Sequence, residues 1–175
     1  MSEKFYKEFC DAGGKEYAQN IRLRVKYLKR ASEDFTFQKA LLKACKEDVL
    51  FFFNCFCWLY EPRPKKIKGK KMPMVIPFIT WEHQDPMIIS ARKTLGFDDV
   101  GIEKSRGEGA SWIFILLALH DWLFQPMSAI GFISRTEMAV DNPDDPDSLM
   151  WKLDWELTKL PPWMAGERDK DYTRN

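Results

Sequence analysis

Apolar residues early in the chain recur every three to four positions, the spacing of one helix face. In "KEYAQNIRLRVKYLKRA", Tyr17, Ile21, Val25 and Leu28 align with Arg and Lys around them, predicting an amphipathic helix that buries this stripe. "TFQKALLKACKEDVLFFFNCFCWLY" prolongs the pattern and turns apolar nearly all round, as a helix packed on several sides does, until Pro62 and Pro64 end it. The period then changes. "MVIPFI" has the β-branched character of a short strand, "TWEHQDPMIISARKTLGF" reads as a turn entering a helix, and "DVGIEKS" is a second brief strand. "SWIFILLALHDWLF" is apolar on every side at helical length. After Pro126, "MSAIGFIS" reads as a further strand, apolar enough for the centre of a parallel sheet. An acidic, proline-bearing turn then leads to an amphipathic helix from about Asp147 to Leu160, with Leu149, Trp151, Leu153, Trp155 and Leu160 on its apolar side.

Strand, glycine-bearing loop, buried helix, strand is a βαβ unit. The expected architecture is therefore α/β: N-terminal helices over residues 1–62, a basic linker loop over 63–74, and an incomplete P-loop NTPase-type βαβ sheet over 75–175.

Composition narrows the function classes. A chain of 175 residues with 45% hydrophobic content can bury a sizeable core. Its 27 basic and 26 acidic residues exclude a uniformly basic surface, so nucleic-acid contact is confined to a local patch such as Arg63, Lys65, Lys66, Lys68, Lys70 and Lys71 around Gly69. Four cysteines and the charged opening "MSEKFYKEFC" point to a reducing, cytoplasmic setting. Cys55 and Cys57 lack the further ligands that zinc needs and are expected as small buried hydrophobes. The apolar runs at 49–60 and 112–119 fall short of the roughly 18 to 20 residues of a membrane span.

The candidate chemistry lies in "EKSRGEGASW", residues 103 to 112. The usual phosphate loop, G-x-x-x-x-G-K-[ST], has lysine where this chain has Ala110. At the start of a buried helix, however, free N–H groups and the positive dipole end face an anion, and Gly107 and Gly109 allow close backbone approach. Lys104 can reach back to phosphate from the start of the loop, with Ser105 beside it. Arg106 offers a fork of donors to a γ-phosphate, and Ser111 stands where a Mg²⁺-binding hydroxyl belongs. Glu108 repels polyphosphate unless it turns away or pairs with a base.

"GIEKSRGEGASW", followed by a buried helix and "GFISRTEMAVDNPDDPDSLMWKLDWELTKLPPWM", resembles the N-terminal ATPase region of the large terminase subunits of tailed bacteriophages, which drive DNA into capsids. "DVLFFFNCFCWLYEPR" and "PFITWEHQDPMI" resemble the same family in the same order, so the likeness runs from about residue 35 to 164. It implies a deviant Walker A loop with its lysine displaced to Lys104, bound ATP and Mg²⁺, and Gln84 in an adenine-reading segment with Trp81 or His83 near the base. The chain departs from the family pattern at Gly107 and Glu108. The resemblance further implies double-stranded DNA, the small terminase subunit, the portal protein and a homo-oligomeric ring as partners, in the bacterial host cytoplasm. Family members carry an Asp-Glu strand and a nuclease domain beyond the region resembled. The chain is therefore expected to be the front part of a terminase, inactive as an ATPase alone. A non-catalytic assembly or DNA-binding module is the second expectation.

Overall fold

The computed structural model describes residues 2–63, 66–67, 70–71 and 73–166. The chain begins with α1 (Ser2–Asp11), α2 (Tyr17–Glu33), α3 (Phe35–Glu47) and α4 (Val49–Phe56), then β1 (Trp58–Tyr60), β2 (Lys66–Ile67), β3 (Lys70–Lys71) and β4 (Val75–Pro77). It continues with α5 (Gln84–Thr94), α6 (Ala110–Phe124), α7 (Glu137–Val140), α8 (Leu149–Leu157) and α9 (Pro162–Ala165).

The long helix expected from residue 36 to 60 is divided. Asp34 caps α3 by accepting from the Phe37 N–H at 3.0 Å, and Asp48 caps α4 by accepting from the Phe51 N–H at 3.0 Å. Each Asp has extended backbone angles, so each carboxylate starts one helix at the point where the previous one ends. The helix ends at Phe56, and Trp58–Tyr60 pairs antiparallel with Val75–Pro77.

All eight residues of α4 are buried, and α1, α2, α3, α5 and α6 pack around it. Phe51, Phe52 and Phe53 are fully enclosed. Burial of each ring is worth roughly 1.5–3 kcal/mol. Phe51 meets Phe5, Phe9, Tyr27 and Phe56 at centroid separations of 5.9 to 6.3 Å.

The face that α2 buries is not the apolar stripe. Its buried residues are Asn20, Leu23, Arg24 and Ala31, whereas Tyr17, Val25 and Leu28 are 41%, 61% and 38% exposed. The inversion is possible because the buried polar groups are satisfied. Asn20 Nδ2 donates to the Gly14 and Asn54 carbonyls at 2.6 and 2.9 Å, and Arg24 donates to Asn20 Oδ1 and the Asn54 carbonyl at 2.6 and 2.7 Å.

Among the described residues the sheet is small: β1 with β4, and separately β2 with β3, both antiparallel. "DVGIEKS" and "MSAIGFIS" form no ladder. A strand needs a neighbour for its N–H and C=O groups, and neither segment has one here; Val100, Ile130 and Ile133 are exposed. The observed class is thus mostly helical with a minor antiparallel component. The described part of the basic run is an antiparallel pair, with Lys66 opposite Lys71 and Ile67 opposite Lys70; Lys65, Lys68 and Gly69 lie outside the described residues. The helix anticipated near 147–160 is α8, capped by the Ser148 hydroxyl.

Candidate functional site

The glycine turn enters α6 through two residues that only glycine accommodates easily. Gly107 has φ of +92° and Gly109, the N-cap, has φ of +70°, both left-handed. The first intrahelical bond runs from the Ile113 N–H to the Gly109 carbonyl at 3.0 Å. The N–H groups of Ala110, Ser111 and Trp112 precede it, and no side chain caps the helix. Behind this end, α6 is anchored by the buried Ile113, Ile115, Leu116, Leu117 and Leu119. His120 Nε2 lies 2.9 Å from the Cys45 carbonyl, so that nitrogen carries the proton.

A cavity of about 540 Å³ opens in front of the turn, lined by His83, Gln84 and Met87 from the start of α5 and by Gly101–Ser105, Glu108 and Ala110. That volume is in the range of small-molecule sites, roughly 300–1,000 Å³.

Gln84 is buried and works on the loop. Its Oε1 accepts from the Trp81 N–H at 2.9 Å and its Nε2 donates to the Glu108 carbonyl at 3.0 Å. The amide assigned to the adenine edge is thus already bracing backbone. It retains one N–H and one lone pair for another partner. Trp81 is 52% exposed, not a core residue, and its ring lies 5.4 Å from that of His83.

Glu108 resolves its conflict with anion binding by pairing. Its carboxylate accepts from His83 Nε2 at 2.9 Å and from Ser105 Oγ at 3.0 Å. The His83 hydrogen bond, then that of Ser105, holds the Glu108 carboxyl below its ordinary value. Local sequence carries no sign of this, since His83 lies 25 residues away.

The other expected residues are within one loop and its helix start. Lys104 is exposed and donates to the Ser105 carbonyl at 3.2 Å. Arg106 and Ser111 are exposed, and Ala110 is half-buried at the first position of α6.

The start of α5 is itself held. Asp85, next to Gln84, receives Lys15 Nζ at 2.8 Å, and the same ammonium donates to the Thr80 hydroxyl and carbonyl at 2.6 and 3.0 Å. Arg92 then pairs with Asp121 at 3.1 Å, tying α5 to α6.

A polyphosphate fits this donor set: uncapped helix N–H groups, glycine backbone, a flexible ammonium and a guanidinium. For magnesium, Ser111 supplies one hydroxyl, and among the described residues no group of three His, Cys, Asp or Glu side chains converges. One hydroxyl with phosphate oxygens and waters suits a hard ion that keeps much of its hydration. No described helix is long and apolar enough to cross a membrane. Comparison with protein families, with curated proteins and with solved structures finds no match.

Proposed function

We propose that the chain is the nucleotide-binding front of a terminase-type DNA-packaging motor, with ATP held at the deviant Walker A loop of an incomplete P-loop unit. The observation that carries this reading is the uncapped start of α6, reached through two left-handed glycines and opening on a cavity with Lys104 at its edge.

In this reading the N–H groups of Gly109, Ala110 and Ser111 cradle phosphate oxygens, and Gly107 keeps that approach clear. Lys104 releases the Ser105 carbonyl and turns its ammonium inward, and Ser105 offers its own N–H while its hydroxyl stays on Glu108. Arg106 forks onto the terminal phosphate, where in a complete motor it would stabilise the charge that develops as the bond to the leaving group breaks. Ser111 would hold Mg²⁺ through its hydroxyl, and the ion would neutralise phosphate charge. Gln84 offers its remaining donor and lone pair to adenine, with His83 and Trp81 as a ring surface beside it. "DVGIEKS" and "MSAIGFIS", on either side of α6, are strands of this unit when given neighbours. In a complete motor the partners are double-stranded DNA, the small terminase subunit, the portal protein and further copies in a ring.

The second reading is a non-catalytic assembly or DNA-binding module, favoured by the antiparallel pairing of Lys66 and Ile67 with Lys71 and Lys70 in the basic run. Thermal unfolding with and without Mg-ATP separates the two. Binding at about 100 times Kd stabilises by roughly 2.7 kcal/mol, so a raised midpoint is expected. An unmoved midpoint at millimolar Mg-ATP would assign the chain to the second class.

A further inference from the structure

The turn of α2 that buries Asn20 and Arg24 leaves its apolar stripe at the surface. Tyr17, Ile21, Val25 and Leu28 follow one another at helical spacing, so they form a single row along the helix for about 16 Å. Ile21 is half-buried and the other three are exposed. Single exposed apolar side chains are ordinary on a protein surface, but a continuous row of them marks a face that meets another surface.

At its far end the row meets a notch of about 80 Å³ beside Leu28, whose walls include Phe56, Trp58 and Pro161. These walls make it an apolar seat for one side chain such as Leu or Met. Arg24 also borders it, but its guanidinium is bonded to Asn20 Oδ1 and the Asn54 carbonyl, at 2.6 and 2.7 Å.

Charge of one sign accompanies the row. Arg22, Lys26 and Lys29 each come one residue after a member of it, so they line the same flank of α2, and all three are exposed. Lys159 is exposed at the notch. None of these four is in an ion pair among the described residues. The one acidic residue of α2, Glu33, comes at its last position.

We propose that this face docks an amphipathic helix of a partner protein, its apolar side laid along the α2 row with one anchor in the notch, and its flanks carrying Asp or Glu toward Arg22, Lys26, Lys29 and Lys159. The row is about three turns long, which sets the length of helix it accepts. A second copy presenting the same face would set basic flank against basic flank. The docking face is separate from the glycine loop and stands whether or not that loop binds nucleotide.

The test titrates the full chain into a fluorescein-labelled synthetic helix with Leu at the spacing of the α2 row and Glu on both flanks, read by anisotropy. A second peptide has Lys in place of every Glu. Wild type is compared with Val25→Glu and with Phe97→Glu, a control away from α2; both positions are exposed, so the fold is kept. The expected result is saturable binding of the acidic peptide alone, weakened by sodium chloride, at least tenfold weaker in Val25→Glu and unchanged in Phe97→Glu. No saturable binding of the acidic peptide, equal binding of the basic one, or wild-type affinity in Val25→Glu would each overturn the proposal. Flotation with phosphatidylserine vesicles that Val25→Glu abolishes would overturn it in favour of a membrane surface. Sedimentation as a dimer that Val25→Glu returns to monomer would overturn it in favour of a second copy.

Discussion

Gln84 Nε2 donates to the carbonyl oxygen of Glu108 at 3.0 Å, so the first residue of α5 holds the backbone of the glycine turn one residue before the N-cap of α6. The two helices share this one side chain as a gauge of loop position. Gln84→Ala frees the Glu108 carbonyl and the Trp81 N–H together. Leaving a buried polar group unpaired costs about 1–3 kcal/mol, so unfolding in urea should show a loss of that size. Mg-ATP titration should show weaker binding in the same variant.

Gly109→Ala places a Cβ 3.8 Å from Gln84 Nε2, an ordinary contact, so any effect comes from the backbone. A non-glycine residue held left-handed costs roughly 1–2 kcal/mol. Gly101 lines the same cavity with open space around it and no positive φ. Thermal melts should therefore separate them: Gly109→Ala lowers the midpoint and Gly101→Ala leaves it level or slightly raised.

Lys104→Ala should leave stability unchanged, because the side chain is exposed and bonds only the neighbouring carbonyl. If its ammonium meets phosphate, removing that charge-assisted contact costs about 1.5–3 kcal/mol and weakens ATP roughly tenfold to a hundredfold or more. Calorimetric titration of wild type and variant reads this directly, and equal affinities would leave the lysine a solvated surface group.

Glu156 gives the chain a pH dependence of definite sign. Burial pushes its carboxyl from 4.5 up to about 8, against the opposing pull of the Trp58 N–H and Arg24. Between those values the folded chain holds a proton that the unfolded chain has lost, so stability falls as pH rises through this window and levels off above about 8. At about 1.4 kcal/mol per unit, the full span is on the order of 5 kcal/mol. Glu156→Gln removes the titration. Urea unfolding at pH 5.5, 7 and 8.5 should show a flatter profile in the variant, with its advantage over wild type growing towards alkaline pH.

Much of this was legible in the sequence, and most of the misses share a cause. The helix after the glycine turn is declared by "SWIFILLALHDWLF", whose composition leaves no other stable disposition, and the turn by Gly107 and Gly109. The face of α2 was misread because periodicity equates apolar with buried. Asn20 and Arg24 are buried only because Gly14, Asn54 and Phe78 offer carbonyls, partners set by tertiary folding. The pairing of Glu108 with His83 is invisible for the same reason. "DVGIEKS" and "MSAIGFIS" carry local strand character, but a ladder is a property of two segments. The division of the long helix at Asp48 had a visible cue: an acid three residues before Phe51.

A helix that is apolar on every side has no preferred rotation about its own axis, since any face would be content against any neighbour. In α4 that freedom is removed by Asn54. Its amide donates to the Leu50 carbonyl at 2.8 Å and to the Thr80 hydroxyl at 2.9 Å, and its Oδ1 accepts from the Thr80 N–H at 2.9 Å. Turning the helix by one residue, about 100°, would strand this amide among phenyl rings. Asn54 thus acts as a key in a keyway. It fixes the angular setting of the central helix, and through Thr80, Lys15 and Asp85 it indexes the start of α5 against the rest of the core.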